Sequence, residues 1–318
     1  MIVYFSLVLL LNSVASKNHE VHNEEEIQNL RVMTFNIWNS AQNVENGQQK
    51  VAKHILLVNP DIVALQEVYT NVSENIAKIL GLGWKYLEHP HPSYPDTAIF
   101  TKHEIVANTL IFTQFGLGCE ILLSTGRIVN FWNAHLDYLN YGPSEAFKNV
   151  MNVSQIVGGE YIKRASGMLE ILNLPEVEKW LSKSSEIPFL LCGDFNVPSH
   201  FDWIEETKNI HNNWIVEWPT TRYLESYGFI DSFREAHPNV LENPGLSWST
   251  VSEYDGSFKS GRSSEPSDRV DFIFYRGPLT TFQSNMYAGN EPLKKTPNHK
   301  KNDYPSDHYS IITDFKFR

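Results

Sequence analysis

Phe189-Leu190-Leu191-Cys192-Gly193-Asp194-Phe195-Asn196 decides how this chain is read. A greasy run ends in a glycine, a carboxylate and an amide, which puts polar chemistry at the tip of a buried strand. Side chains alternate with a period of two along a strand, so Asp194 and Asn196 share one face. Far downstream, Ser306-Asp307-His308 does the reverse and opens the apolar run Tyr309-Ser310-Ile311-Ile312. Both motifs bring metal-binding or proton-handling groups to a strand end.

Working outward, the same pattern recurs. Leu30 to Trp38 alternates like a strand and carries Asn36 near its end. Asp61 to Glu67 is a short apolar strand ending in a carboxylate, and Arg127 to Asp137 carries His135. Asp271 opens Phe272-Ile273-Phe274-Tyr275. In antiparallel pairs the end of one strand lies beside the start of its neighbour. Asn36, Glu67, His135, Asp194 and Asn196 at strand ends can therefore meet Asp271, Asp307 and His308 at strand starts. Further strands are expected near Trp84 to Leu87, Thr97 to Thr101, Glu120 to Leu123, Val270 to Tyr275 and Tyr309 to Phe317. Helices are expected over Val51 to Val58, Val72 to Leu80 (stopped by Gly81), Thr221 to Tyr227, and as one long element from about Tyr161 to Leu181. Strands alternating with helices, then a strand-rich end, indicate an α/β or α+β layered domain with mixed sheets.

Taken in order, Asn36, Gln66-Glu67, Ala134-His135-Leu136, Gly193-Asp194-Phe195-Asn196, Asp268-Arg269-Val270-Asp271 and Ser306-Asp307-His308 resemble the motifs of the endonuclease/exonuclease/phosphatase superfamily. The resemblance covers roughly residues 30–318, read as one catalytic domain. It implies a four-layered α/β sandwich, two mixed β-sheets flanked by helices. It further implies a metal-dependent phosphoester hydrolase. Glu67 would be the principal Mg²⁺ ligand (with Mn²⁺ as the alternative ion), joined by Asn36 and Asp307, because hard divalent cations take oxygen ligands. Asp194 would be the general base for an attacking water. Asn196 would donate a hydrogen bond to a phosphate oxygen or to that water, and His135 would contact the phosphate. His308, oriented by Asp271, would stabilise developing charge.

The superfamily includes nucleases, sphingomyelinase-like lipid phosphodiesterases, deadenylases and inositol polyphosphate phosphatases, so resemblance does not choose the substrate. Val197-Pro198-Ser199-His200 follows the Gly-Asp-Phe-Asn element where inositol polyphosphate 5-phosphatases usually carry an arginine, which weakens that phosphomonoesterase reading. A phosphodiester in nucleic acid or a phospholipid head group is the favoured substrate. The alternative class is a secreted binding or effector protein with a vestigial site.

Residues 2–11 are apolar apart from Ser6, too short to span a bilayer, and followed by Ala15, Ser16 and Lys17. This predicts a signal peptide over 1–16, a flexible polar segment over 17–29, and a secreted product without a transmembrane anchor. The sequons at Asn71 and Asn152 agree with export. Cys119 and Cys192 lie in apolar runs and are read as buried thiols. The net charge of -11 counts against tight nucleic-acid binding. Trp203, Trp214, Trp218 and Trp248 crowd one loop-like stretch, which reads equally as satellite core or as a substrate wall. The pairs Lys294-Lys295 and Lys300-Lys301 read as a solvated basic loop, with attraction of an anionic substrate as the second reading.

Overall fold

The computed structural model describes residues 29–148, 150–252 and 267–318. The expected signal peptide and all but the last residue of the segment 17–29 lie outside the described residues. One sheet has the order β12-β13-β1-β2-β4-β3, built from β1 (Asn29–Asn36), β2 (Ile62–Val68), β3 (Lys85–Glu88), β4 (Asp96–Thr101), β12 (Leu279–Tyr287) and β13 (Ser310–Phe317). The other has the order β10-β11-β9-β8-β7-β5. Its strands are β5 (Glu104–Ile105), β7 (Gly116–Leu122), β8 (Ile128–His135), β9 (Phe189–Asp194), β10 (Ile230–Asp231) and β11 (Asp271–Arg276), with β6 (Ile111–Thr113) beside β7. Only β1 with β2 and β8 with β9 run parallel, and helices bridge each of those pairs. Both sheets are therefore mixed.

Alternation explains the layers. Val32, Ile62, Ala64, Ile99, Phe131 and Cys192 face the opposite sheet in a common core. Their neighbours Met33, Val63 and Leu65 face α1 (Gly47–Val58) and α2 (Val72–Leu80). On the far side, Trp132, Leu191 and Phe272 pack against α4 (Val153–Glu160), α5 (Ser166–Leu172), α6 (Pro175–Ser182) and α7 (Pro219–Ser226), which follow the short α3 (Gly142–Ala146). The result is the four-layered sandwich. Cys119 and Cys192 are free thiols in the inter-sheet core, and burial pushes Cys119 up to about 12. Among the described residues no helix is long and apolar enough to cross a membrane.

Two expectations are corrected. The continuous helix from Tyr161 to Leu181 is instead a π-helical turn over Tyr161–Ala165 continuing α4, then α5, then a break at Leu174. Pro175 lacks an N–H and crowds the preceding turn, so it ends one helix and opens the next. The strand β12 was not anticipated. Its Thr, Gln, Ser and Asn residues suit a half-solvated edge and give no core-strand signal.

The inner faces change chemistry in steps toward one end. Along β1 the inward series is Val32, Thr34, Asn36; along β2 it is Ile62, Ala64, Gln66; along β8 it is Val129, Phe131, Asn133, His135. The middle layer is a set of buried amides joining the sheets. Gln66 Nε2 donates to Asn133 Oδ1 at 2.7 Å and to Thr34 Oγ1 at 3.1 Å. Asn133 Nδ2 donates to the carbonyls of Leu65 at 2.7 Å and Ala98 at 2.8 Å. Gly193 permits a second close approach: a Cβ there would lie 1.8 Å from the Ala134 carbonyl oxygen.

Asn133→Ala should lower unfolding stability by about 2–4 kcal/mol, because it strands the Gln66 amide and two carbonyls in the core. Urea denaturation monitored by tryptophan fluorescence measures this. A midpoint equal to the parent's would show that the amide layer does not hold the sheets.

Candidate active site

Strand register places the functional residues. Asp194 on β9 is paired with His135 on β8 and with Asp271 on β11, which makes one row across the second sheet. In the first sheet Asn36 is paired with Gln66, and Val68 with Asp96. The two rows face each other at the same end of the sandwich. Asn36 Nδ2 spans them, donating to Glu67 Oε1 and Asp194 Oδ2, both at 3.0 Å. Its Oδ1 accepts the Trp38 N–H at 2.9 Å.

Simple alternation would send Glu67 away from this end, opposite to Gln66. The chain instead bulges: the β2–β4 register shifts between Gln66 and Val68, and Glu67 has φ 61°. A bulge re-aims one side chain, and here it turns Glu67 into the cleft. The following contact is equally constrained. Trp38, Asn39, Ser40 and Ala41 all lie in the left-handed region, with φ between 49° and 60°. Such a conformation costs roughly 1–2 kcal/mol per non-glycine residue. It aims the Asn39 N–H at Glu67 Oε2. The Ser40 hydroxyl donates to the Glu67 carbonyl at 3.0 Å and accepts the Tyr69 N–H at 2.7 Å. Backbone strain is thus spent on fixing one carboxylate.

Each histidine has a carboxylate partner. His308 Nδ1 is 2.9 Å from Asp271 Oδ2, and its Nε2 is 3.8 Å from Asp194 Oδ2. Burial disfavours its charged form, but Asp271, Asp194 and Asp307 together outweigh that and hold its pKa well above the ordinary value. His135 Nδ1 is 2.9 Å from Asp96 Oδ2, and its Nε2 is 3.7 Å from Asp194 Oδ2. Burial again opposes the charge, yet Asp96, helped by Asp194 and Glu67, holds His135 up at about 10. Both imidazoles are thereby biased toward the cationic form.

Asp96 is the residue that reading the sequence missed. It opens an apolar strand beside the end of β2, the same rule that selected Asp271 and Asp307, but Tyr94-Pro95 before it reads as a turn. Ser247 and Ser306 were also missed. Ser247 Oγ donates to Asp271 Oδ2 at 2.7 Å, and Ser306 Oγ donates to the Asn36 carbonyl at 2.6 Å while accepting the His308 N–H. Ser247 carries no pattern that separates it from any loop serine, and Ser306, though part of the Ser306-Asp307-His308 motif, has no role assigned by the sequence.

The donor set suits a hard divalent cation. Asp307 Oδ2 accepts the Trp248 indole N–H at 3.1 Å, whereas its buried Oδ1 has no hydrogen-bond partner. Burial, reinforced by Glu67, pushes the Asp307 carboxyl up to about 6. An orphaned carboxylate oxygen close to a second carboxylate is what a bound cation would satisfy. Asp194, Asp271 and His308 also bring ligand atoms within 4.8 Å of one another. There, however, Asp271 and His308 already bond to each other.

These groups floor a cleft of about 800 Å³. Asn196 lines it, with one N–H of its amide given to the Leu136 carbonyl at 2.9 Å and its backbone N–H given to Asp194 Oδ1. Aromatic walls come from Trp38, Tyr69, Tyr94, Phe115, Tyr138 and Trp248, and among the described residues no lysine or arginine lines it. The four loop tryptophans therefore divide. Trp203 and Trp218 are fully buried in core, Trp214 packs against it, and only Trp248 reaches the cleft. Lys294, Lys295, Lys300 and Lys301 stay outside it, and Lys295 Nζ donates to the Thr250 carbonyl.

Asp96→Asn should bring the His135 pKa down from about 10, since removing the partner carboxylate disfavours the imidazolium. NMR titration of the His135 ring in metal-free protein reads the shift. An unchanged pKa would mean that Asp194 and Glu67 alone hold the charge.

Comparison with known proteins gives the same family from independent directions. A profile described as the Endonuclease/Exonuclease/phosphatase family matches residues 33–308. The uncharacterized protein F14F9.5 of Caenorhabditis elegans is 47% identical over 316 residues, covering 99% of this chain and 98% of its own length. Nocturnin of Xenopus laevis is 22% identical over 300 residues, covering 86% of this chain and 65% of nocturnin. Among solved structures, truncated Caenorhabditis elegans TDP2 superposes with a TM-score of 0.59 at 18% identity, covering 91% of this chain and 98% of that one. D. rerio TDP2 complexed with single strand DNA product gives 0.56 at 16% identity, covering 90% and 98%. At such identities the structural likeness is one of fold, and it is the profile and the nematode relative that fix the family. The chain belongs to the endonuclease/exonuclease/phosphatase family and is a metal-dependent phosphoester hydrolase.

Proposed function

We propose that the protein is a secreted Mg²⁺-dependent phosphodiesterase that attacks phosphorus with water in line with the leaving oxygen. The observation that carries this reading is the convergence on Asp194. It is a buried carboxylate held at one oxygen by the Asn196 N–H and at the other by Asn36, and it is flanked by two cationic histidines.

Glu67 and Asp307, with Asn36 beside them, are the residues that would hold Mg²⁺. When bound it supplies Lewis-acid polarisation of a nonbridging phosphate oxygen. The remaining work falls to the chain. Asp194 accepts the proton of the attacking water, within the reach that general-base catalysis needs. His308 and His135, kept charged by Asp271 and Asp96, face the negative charge that builds on the phosphorane oxygens. Asn196 keeps one amide N–H for a phosphate oxygen, because an amide nitrogen carries two donors and Leu136 takes one.

Of the two substrate classes open from the sequence, the cleft favours the phospholipid head group. Strand-tracking nucleic-acid sites rely on lysine and arginine along the backbone, and among the described residues the lining has neither. The product of D. rerio TDP2 is single-stranded DNA, which keeps nucleic acid as the second reading. Export rests on the apolar run at residues 2–11. The asparagines of both sequons are exposed, as glycan acceptors must be.

Purified protein should hydrolyse bis-p-nitrophenyl phosphate with Mg²⁺, lose that turnover in excess chelator, and regain it when Mg²⁺ is restored. Asp194→Ala should lower kcat by roughly 10²–10⁴-fold with an unchanged circular dichroism spectrum. Parent-like turnover in that variant would remove Asp194 from the role of base.

A further inference from the structure

Four large apolar side chains stand exposed at one lip of the cleft. Tyr138 and Leu139 are 70% and 47% exposed and line the cleft itself, while Tyr161 and Ile162 are 55% and 75% exposed on the adjoining helical turn. The two pairs belong to one surface because the turn is bolted to the lip. Arg164 donates to the carbonyls of Asp137, Leu139 and Asn140 at 2.6 to 2.8 Å, and Lys163 Nζ lies 3.0 Å from Asp137 Oδ2. The π-helical turn over Tyr161–Ala165 fixes the division: Arg164 and Ala165 are buried, and Tyr161 and Ile162 face out.

Charge selects what such a surface meets. The two cations of the turn are already matched, Lys163 by Asp137 and Arg164 by Glu160 at 2.6 Å. The described lining of the cleft behind the lip contains carboxylates and no lysine or arginine, and the chain carries a net charge of -11. A polyanion is repelled by this arrangement, and an anionic membrane gains nothing from it. Apolar side chains beside a phosphodiester-cleaving cleft, with both cations of their own turn matched, fit a zwitterionic lipid surface, where exposed aromatic and aliphatic groups enter the boundary between head groups and acyl chains.

We propose that Tyr138, Leu139, Tyr161 and Ile162 form a docking face for zwitterionic phospholipid bilayers, which presents lipid head groups to the cleft. This deepens the phosphodiesterase reading and rests on it for the use of the docked lipid. Tyr161 and Ile162 lie outside the cleft lining, so they separate docking from chemistry.

The test is co-sedimentation of the full mature protein with phosphatidylcholine vesicles, alongside Tyr161→Ser/Ile162→Asp and the single Ile162→Ser. Turnover of bis-p-nitrophenyl phosphate is measured on every sample. The parent should bind vesicles, and the double variant should lose about tenfold or more in partitioning while its soluble turnover stays at the parent value. Partitioning should change little when salt is raised from about 0.1 to about 0.5 M, since no charge attraction is being screened. If the double variant loses soluble turnover, the single variant carries the comparison. Failure of the parent to bind, equal binding by the variants, or binding that needs anionic lipid and vanishes with salt would each overturn the docking face. Capture of single-stranded DNA with indifference to vesicles would overturn it in favour of nucleic acid. Absence of soluble turnover in the parent would instead sink the phosphodiesterase reading, so the two failures are distinguishable.

Discussion

The contact between Gln66 and Asn133 is the constraint on which the site depends. Two apolar sheet faces can slide on each other at small cost, because burial is non-directional. Amides buried between them cannot, because each displaced donor or acceptor loses its partner in a medium that offers no water. Gln66 reaches across to Asn133, and Asn133 reaches back to the carbonyls of Leu65 and Ala98. That fixes the height of one sheet against the other. One position further along, the row of His135, Asp194 and Asp271 is then held level with Asn36 and Glu67. The hydrogen bond from Asn36 to Asp194 is a consequence of this alignment.

Above the amide layer the site gathers more negative charge than its own cations offset. Glu67, Asp96, Asp194, Asp271 and Asp307 crowd one end of the sandwich, where among the described residues His135 and His308 are the only basic side chains facing them in the cleft. The upward shifts of Asp307 and Asp271 report that imbalance together with burial. A divalent ion held by Glu67 and Asp307 would relieve it. Each histidine is braced by its own carboxylate, so neither needs the ion to keep its charge. In the proposed mechanism, holding metal and meeting phosphate thereby fall to different side chains.

Much of this was legible in the sequence, and the exceptions have physical causes. Period-two alternation placed Asn36, His135 and Asp194, and the end-to-start rule for antiparallel strands brought Asp271 and Asp307-His308 to them. Glu67 was named on resemblance, but its route into the cleft depends on a bulge that no local pattern announces. Asp96 was missed because a turn-like Tyr94-Pro95 hid the start of its strand. The long helix failed at Pro175, where proline chemistry, visible in the sequence, should have overruled helical periodicity. The strand β12 was lost because an edge with one wet face carries little hydrophobic signal. Trp203 and Trp218 were indistinguishable from Trp248 in sequence. What separates them is distance from the cleft, a property of tertiary packing alone.

The lip of the cleft is also held by a buried ion pair, and its composition indicates what that pair is for. Arg164 and Glu160 are fully buried, and such a pair seldom adds stability over apolar side chains of similar size, since desolvation consumes the Coulombic gain. Here the guanidinium has further partners, the carbonyls of Asp137, Leu139 and Asn140, which lie in a segment without regular secondary structure. Those carbonyls would otherwise need water or a ladder partner. The pair is thus better understood as a fastener than as a source of stability. It lets the chain cross the mouth of the cleft as an irregular strap while keeping Tyr138 and Leu139 fixed relative to Asp194. Because the same arginine sits in the turn that presents Tyr161 and Ile162, whatever meets that turn is registered against Asp194 through one connection.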